Sequence, residues 1–276
     1  MEEKKYIYRP VRFYVLVFVF TWLFWIPAAF MKEGVVSSIL MILGLISPSS
    51  LAIITVFTSK SNELKADFKR KIFGFYKLKL LYILLAVLIF AVIVVGSILI
   101  SLLFGGSIEQ FYLTKDFSFS GPGFGSAILT ILLASVLEEV GWRGYGEDSI
   151  AQYCSWFKES VIFGFIWASW HIPLFFLPGT YHIGLKEMGF VYMLNFLLSV
   201  IPMGFITTWV YVKNGRSMLS SILFHLFVNF MQEKIAMSPD TKIIESFVVL
   251  VAAVIIVLTN KDMFFEKRHV GQILES

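Results

Sequence analysis

Long apolar runs, broken by short polar stretches, set the rhythm of this chain. A helix needs about 20 predominantly apolar residues to cross the hydrocarbon of a bilayer, and eight segments answer to that length: 11–31, 36–58, 80–104, 125–146, 160–177, 189–212, 217–233 and 243–260. Backbone N–H and C=O groups in lipid must find partners within their own segment, so such runs are helices. The pattern predicts an all-α, polytopic membrane protein built as a bundle of about eight transmembrane helices. No linker, low-complexity tract or short-period repeat interrupts the series. Residues 1–276 therefore read as a single integral membrane domain whose polar-bearing core lies at about 125–233.

Hydrophobic residues make up 58% of the chain and charged residues 15%, which excludes an ordinary soluble globular domain. Cys154 stands alone, so no internal disulfide is available, and no Cys/His cluster has structural zinc spacing. The start, MEEKKYIYRPVR with an apolar run reaching Ala28 and Ala29, has elements of a signal peptide. Its length, its aromatic content and the spans that follow at once make it a retained first helix.

The net charge of +4 is not a nucleic-acid signal, because the basic residues follow membrane topology. Lys60, Lys65, Lys69, Arg70, Lys71, Lys77 and Lys79 crowd the connection between the second and third spans. Placing that loop inside also places the N-terminal Lys4, Lys5, Arg9 and Arg12, then Lys158, Lys213 and Arg216, and the tail residues Lys261, Lys267 and Arg268 inside. Only Lys32, Lys115, Lys186, Lys234 and Lys242 fall outside, so both termini are expected in the cytoplasm. Each basic loop reads as an orientation signal in contact with lipid headgroups, and Trp22 and Trp25 read as lipid-facing or belt residues.

Six polar residues sit where lipid would be: Glu138, Glu139, Arg143, His171, His225 and Asn229. An ionisable group at membrane depth costs several kcal/mol unless paired or hydrated, so it marks a bundle interior and a functional site. Glu139 and Arg143 are four apart, stack on one helical face and can pair, whereas Glu138 lies about 100° round the helix and stays free. His225 and Asn229 are also four apart on one face. His171 stands two residues before Pro173, whose ring frees a backbone carbonyl near the histidine. With about 1.5 Å of rise per residue, Glu138 lies about 12 Å from the inner end of its span, His171 about 16 Å and His225 about 12 Å. Each alone reads as an interhelical hydrogen-bond partner; three foci at one level point to a chemical site.

These residues resemble a known pattern: EExxxR at Glu138-Glu139-Val140-Gly141-Trp142-Arg143, an aromatic-xxx-His at Trp167-Ala168-Ser169-Trp170-His171, and HxxxN at His225-Leu226-Phe227-Val228-Asn229. In this order they are similar to the CPBP family, the CAAX proteases and bacteriocin-processing enzymes also called Abi, which includes the Ras-converting CAAX endopeptidases. Trp167 stands where phenylalanine is common. The resemblance implies an eight-helix bundle enclosing an intramembrane active-site cavity. It implies that Glu138 and His171 bind and activate a water, that His225 and Asn229 stabilise a tetrahedral oxyanion, and that Glu139 with Arg143 holds the helix. Imidazole and carboxamide donors on one helical face suit a developing oxyanion.

Other intramembrane proteases leave no trace: there is no HExxH, GYGED carries Glu147 where an aspartyl GxGD motif needs aspartate, and no GxSG occurs. Metal dependence stays open, because Glu138, His171 and His225 could equally form a three-ligand open site for a divalent metal such as zinc. No other cofactor is implied.

The resemblance implies a membrane-associated peptide or protein as substrate, lipid-modified in some members, with the bilayer as the other partner. Short loops and the lack of an accessory domain read as a bacterial plasma-membrane protein. An unmodified peptide is then favoured over a prenylated one, with cleavage from the cytoplasmic side. Two rivals from other classes are a non-catalytic membrane interaction protein of the same fold and a proton-coupled transporter, for which inverted repeats are expected and none is visible. The stretch Lys115 to Ser126 reads as a plain outer connection, and His182 and His269 as lacking partners.

Overall fold

The computed structural model describes residues 6–74, 78–115 and 127–266. The connection expected from Lys115 to Ser126 lies outside them beyond Lys115, as does His269. In chain order the helices are α1 (Pro10–Ala29), α2 (Val35–Thr58), α3 (Asn62–Phe73), α4 (Leu80–Leu102), α5 (Ala127–Gly141), α6 (Glu147–Ala151), α7 (Trp156–Trp170), α8 (Tyr181–Met188), α9 (Phe190–Lys213), α10 (Met218–Lys234), α11 (Pro239–Thr259) and α12 (Lys261–Phe265). The chain is an all-α polytopic membrane protein.

Local chemistry explains where the helices start. Pro10 and Pro239 open α1 and α11 at a first-turn position whose N–H has no intrahelical partner to lose. The hydroxyls of Ser61, Ser155, Thr180 and Ser238 accept first-turn N–H groups of α3, α7, α8 and α11. The outward faces of α1 (Val11, Val15, Val19, Leu23) and α4 (Leu81, Leu84, Leu88, Val92) are exposed and apolar, the pattern of a surface solvated by acyl chains.

Each of the eight predicted segments holds a helix, and among the described residues six of these helices are long and apolar enough to cross a membrane: α1, α2, α4, α7 with its following 3₁₀ turn, α9 and α11. The other two, α5 with 15 residues and α10 with 17, are the helices that carry Glu138, Glu139, His225 and Asn229. They are held by neighbours: α5 packs on α2 and α10, and α10 packs on α4, α5 and α9. At Gly141 the approach of α2 is so close that an added Cβ would lie 2.5 Å from Cβ of Pro48. Pro48, inside α2, is thus the place where α5 seats.

The helical run of α5 continues past its predicted end through a π-helical turn, Trp142–Gly146, into α6. Such a widened turn leaves carbonyls without helical donors, and here the basic loop supplies them. Lys71 Nζ donates to the carbonyls of Arg143 (3.0 Å) and Gly144 (2.7 Å) and to Asp148 Oδ2 (2.7 Å). Tyr211 Oη donates to the Arg143 carbonyl at 3.0 Å. Arg216 bonds Asp148 Oδ2 at 2.7 Å and also Asp67. Reading Lys71 and Arg216 only as orientation signals is therefore corrected. Lys71 is 1% exposed, far from any headgroup, and it bolts α3 to the turn behind the polar site. Trp25 is corrected likewise: it is buried, its indole N–H donates to the Met41 carbonyl at 2.9 Å, and its ring packs 4.7 Å from that of Trp170.

Candidate functional site

Adjacent glutamates on α5 face different partners, as their 100° separation requires. Glu138 Oε2 accepts a hydrogen bond from Trp167 Nε1 at 2.8 Å. Glu139 Oε1 accepts from Arg143 Nη1 at 3.0 Å and lies 2.9 Å from His225 Nδ1. The expected Glu139 and Arg143 pair is present, and it has further members. Arg143 Nη2 lies 2.9 Å from Glu147 Oε1, and Thr208 Oγ1 donates to that same oxygen at 3.2 Å. The guanidinium also stands 5.0 Å and 5.8 Å from the ring centres of Phe163 and Trp167, a cation–π arrangement that favours a buried positive charge.

His171 caps the end of α7 just before Pro173. Its backbone N–H turns to the Ala168 carbonyl at 3.2 Å, which leaves the Trp167 carbonyl to its own ring, Nδ1 to O at 2.7 Å. A carbonyl only accepts, so Nδ1 carries hydrogen and Nε2 of the neutral ring keeps its lone pair. The carbonyl that His171 uses is that of Trp167, freed by the end of α7, and not the one four residues before Pro173. His182 is not partnerless as expected: its ring stacks 5.6 Å from that of His171 and lies 4.6 Å from Phe196. Burial, reinforced by His171, holds the His182 imidazole well below the usual histidine range and so neutral.

On α10, His225 reaches back to Glu139, and Asn229 Nδ2 donates a long 3.5 Å bond to Ser135 Oγ on α5. Trp167 stands between the groups, its ring centre 5.9 Å from His171 and 5.6 Å from His225. Glu138, His171, His225 and Asn229 line one cavity of about 490 Å³, while Glu139 and Arg143 are buried behind it. Apolar side chains such as Met41, Leu45, Ile131 and Met203 form much of its wall. Among the described residues, no three His, Cys, Asp or Glu side chains are gathered closely enough to hold a metal ion.

Much of the cavity wall comes from the first halves of α2, α9 and α11 and the last halves of α7 and α10, which in an antiparallel bundle lie toward the end opposite α3, while Glu138 in the last half of α5 and His225 in the first half of α10 stand deeper, nearer the middle of the bundle.

Fold and pocket together define a class: polytopic α-helical membrane proteins that hold an acid and imidazoles in a cavity within the bundle. Residues 120–231 match the family described as type II CAAX prenyl endopeptidase Rce1-like. CAAX prenyl protease 2 of Methanococcus maripaludis is 40% identical over 266 residues, covering 95% of this chain and 98% of that protein. The chain belongs to the Rce1-like family of CAAX prenyl endopeptidases, and it is an integral membrane peptidase.

Proposed function

We propose that this protein is a glutamate-dependent intramembrane endopeptidase that hydrolyses a peptide bond of a lipid-modified, membrane-associated protein or peptide by attack of an activated water. The observation that carries the reading is that Glu138 and His171 line the same cavity, each with one polar atom committed to Trp167 and another left over. Glu138 Oε2 is held by the indole, so Oε1 takes the proton of a water. His171 Nε2, fixed as a lone pair, accepts the water's other hydrogen and aims its oxygen.

As that oxygen attacks the carbonyl carbon, the C=O electron pair moves onto the carbonyl oxygen. Asn229 Nδ2 and His225 Nε2 donate to the resulting oxyanion. Because His225 Nδ1 faces the acceptor Glu139, Nε2 can donate only when the ring carries both protons, and Glu139 is the counter-ion that makes this state possible. Glu139 thus acts on the reaction through His225 as well as holding the helix. Glu138 then returns its proton to the leaving amine as the C–N bond breaks, giving a new carboxylate and a new amine.

A divalent ion on Glu138, His171 and His225 would use the same free atoms, and engaged Nδ1 groups suit metal ligands too. Since those three are not gathered as a ligand set, no step is routed through one. Activity is expected to survive exhaustive chelation; loss that added zinc restores would overturn the metal-free scheme. The preference for an unmodified peptide drawn from short loops gives way to a lipid-modified substrate. Support comes from a relative named for prenyl proteolysis that aligns along nearly the whole chain, and from a largely apolar cavity wall.

Water attack has its own test. In a single turnover of an S-prenylated peptide in heavy-oxygen water, the label is expected in the new C-terminal carboxylate and not in Glu138. Label recovered on Glu138 would mean that the carboxylate itself attacks.

A further inference from the structure

Lys242, in the first turn of α11, lines the same cavity as Glu138 and His171. Its ammonium group donates to two neutral acceptors, the Gln232 carbonyl at 3.1 Å and Tyr181 Oη at 3.2 Å, and stands 5.1 Å from the Tyr181 ring centre. An ammonium has three donors, so one N–H is left. Among the described residues no carboxylate forms an ion pair with it, and the Glu245 carboxylate interacts with its charge only at longer range. Glu245, one turn further along α11, is taken by Gln232 Nε2 at 2.7 Å, and Asp240 by Tyr192 Oη at 2.8 Å. A cation on the cavity wall, seated by neutral groups, has the chemistry of an anion receptor.

Its height supplies the second half of the argument. Gln232 lies seven residues beyond His225 and three beyond Asn229 on α10, so a carbonyl held between those two donors is about 5–10 Å from it along the helix axis. Three residues of extended peptide span up to about 10 Å. A chain whose scissile carbonyl rests at His225 and Asn229, and which has three residues after the cut, brings its terminal carboxylate to the level of Lys242. A C-terminal CAAX motif has three residues after its modified cysteine.

We infer that Lys242 receives the free C-terminal carboxylate of the substrate and so sets the cut three residues from the end. This deepens the proposed hydrolase reading and rests on it for the position of the scissile bond. The largely apolar cavity wall favours a peptide whose side chains are apolar and whose only negative charge is terminal.

The test compares an S-prenylated peptide ending in a free carboxylate with the same peptide ending in an amide. The purified full-length protein in detergent is expected to bind and cleave the acid form better, by about tenfold or more in KM, the scale of one charge-assisted hydrogen bond. Lys242→Met is expected to lose that discrimination, chiefly by raising KM for the acid form toward that of the amide, while Lys242→Arg retains it. Binding of the two peptides to the Glu138→Gln protein is measured in parallel, because it reads the carboxylate without any hydrolysis. Acid-over-amide preference that persists in Lys242→Met overturns the inference. Preference that depends on Lys242 in the Glu138→Gln background, joined with undiminished turnover of that variant, would sustain the receptor and sink the glutamate mechanism instead.

Discussion

Trp167 is the residue through which the site is organised. Its indole N–H holds Glu138, its carbonyl fixes the His171 tautomer, and its ring stands against His225 and over Arg143. The sequence marks it only as an aromatic in place of a common phenylalanine, because a spacing pattern cannot show where an indole N–H points. Trp167→Phe keeps the ring and removes the bond to Glu138. A hydrogen bond to a charged group contributes about 1.5–3 kcal/mol, so kcat is expected to fall roughly tenfold to a hundredfold with the melting temperature nearly unchanged. Normal kcat would show that Glu138 is placed by something else. The Glu139 and Arg143 pair was legible because four residues make one helical turn. The tie from Glu139 to His225 was not, since it joins residues 86 apart in sequence. Glu139→Gln should remove the counter-ion of His225, and its effect on kcat should not add to that of His225→Ala if the two act as a unit.

At the scale of the elements, the polar site hangs on α5, and α5 is fixed from two sides. Pro48 of α2 presses on Gly141, and the buried cluster of Asp67, Lys71, Asp148, Tyr211 and Arg216 grips the π-helical turn. Gly141→Ala is expected to cost about 1–3 kcal/mol of stability by overpacking, read as a lower melting temperature in detergent. Lys71→Met leaves Asp148 short of a buried cation and should cost more, about 3–5 kcal/mol. Asp148 lies just past the predicted fourth span. Burial alone would raise its carboxyl, but Arg216 and Lys71 overcome this and hold it down at about 2 against an ordinary 3.8. A depressed acid stabilises the fold above its unfolded value and loses that contribution as pH falls through the folded one. Stability should therefore decline as pH falls from about 4 toward 2, and Asp148→Asn should flatten that decline; an unchanged acid profile would remove Asp148 from the lock. These elements were half legible. The π-helical turn and its basic cap escaped because charges in a loop satisfy a topology rule without needing a buried partner, and because Asp148 lies 77 residues from Lys71.

For the whole molecule, long apolar runs were enough to find the eight longer helices of the bundle, while the short or polar α3, α6, α8 and α12 gave no such signal. Two central helices are nonetheless too short or too polar to pass as spans on their own. Their place is set by neighbours, which no single segment encodes. The same whole-molecule view separates the Lys242 end of the cavity from the basic loop. Cysteines introduced at Lys65 on α3 and at Lys242 by the cavity are expected to react with a membrane-impermeant reagent from opposite sides of the membrane. With basic residues as the orientation signal, Lys65→Cys is labelled from the cytoplasm. Labelling of both from one side would contradict the bundle geometry.

The central claim is that Glu138 is the base that activates water in this cavity. Its most direct measurement is the turnover of an S-prenylated C-terminal peptide by the purified protein in liposomes, read as the mass of the released fragments, for wild type and for Glu138→Gln at equal folded concentration. Cleavage by the wild type and its loss in Glu138→Gln is the predicted result; undiminished release of the same fragments by Glu138→Gln would contradict the account.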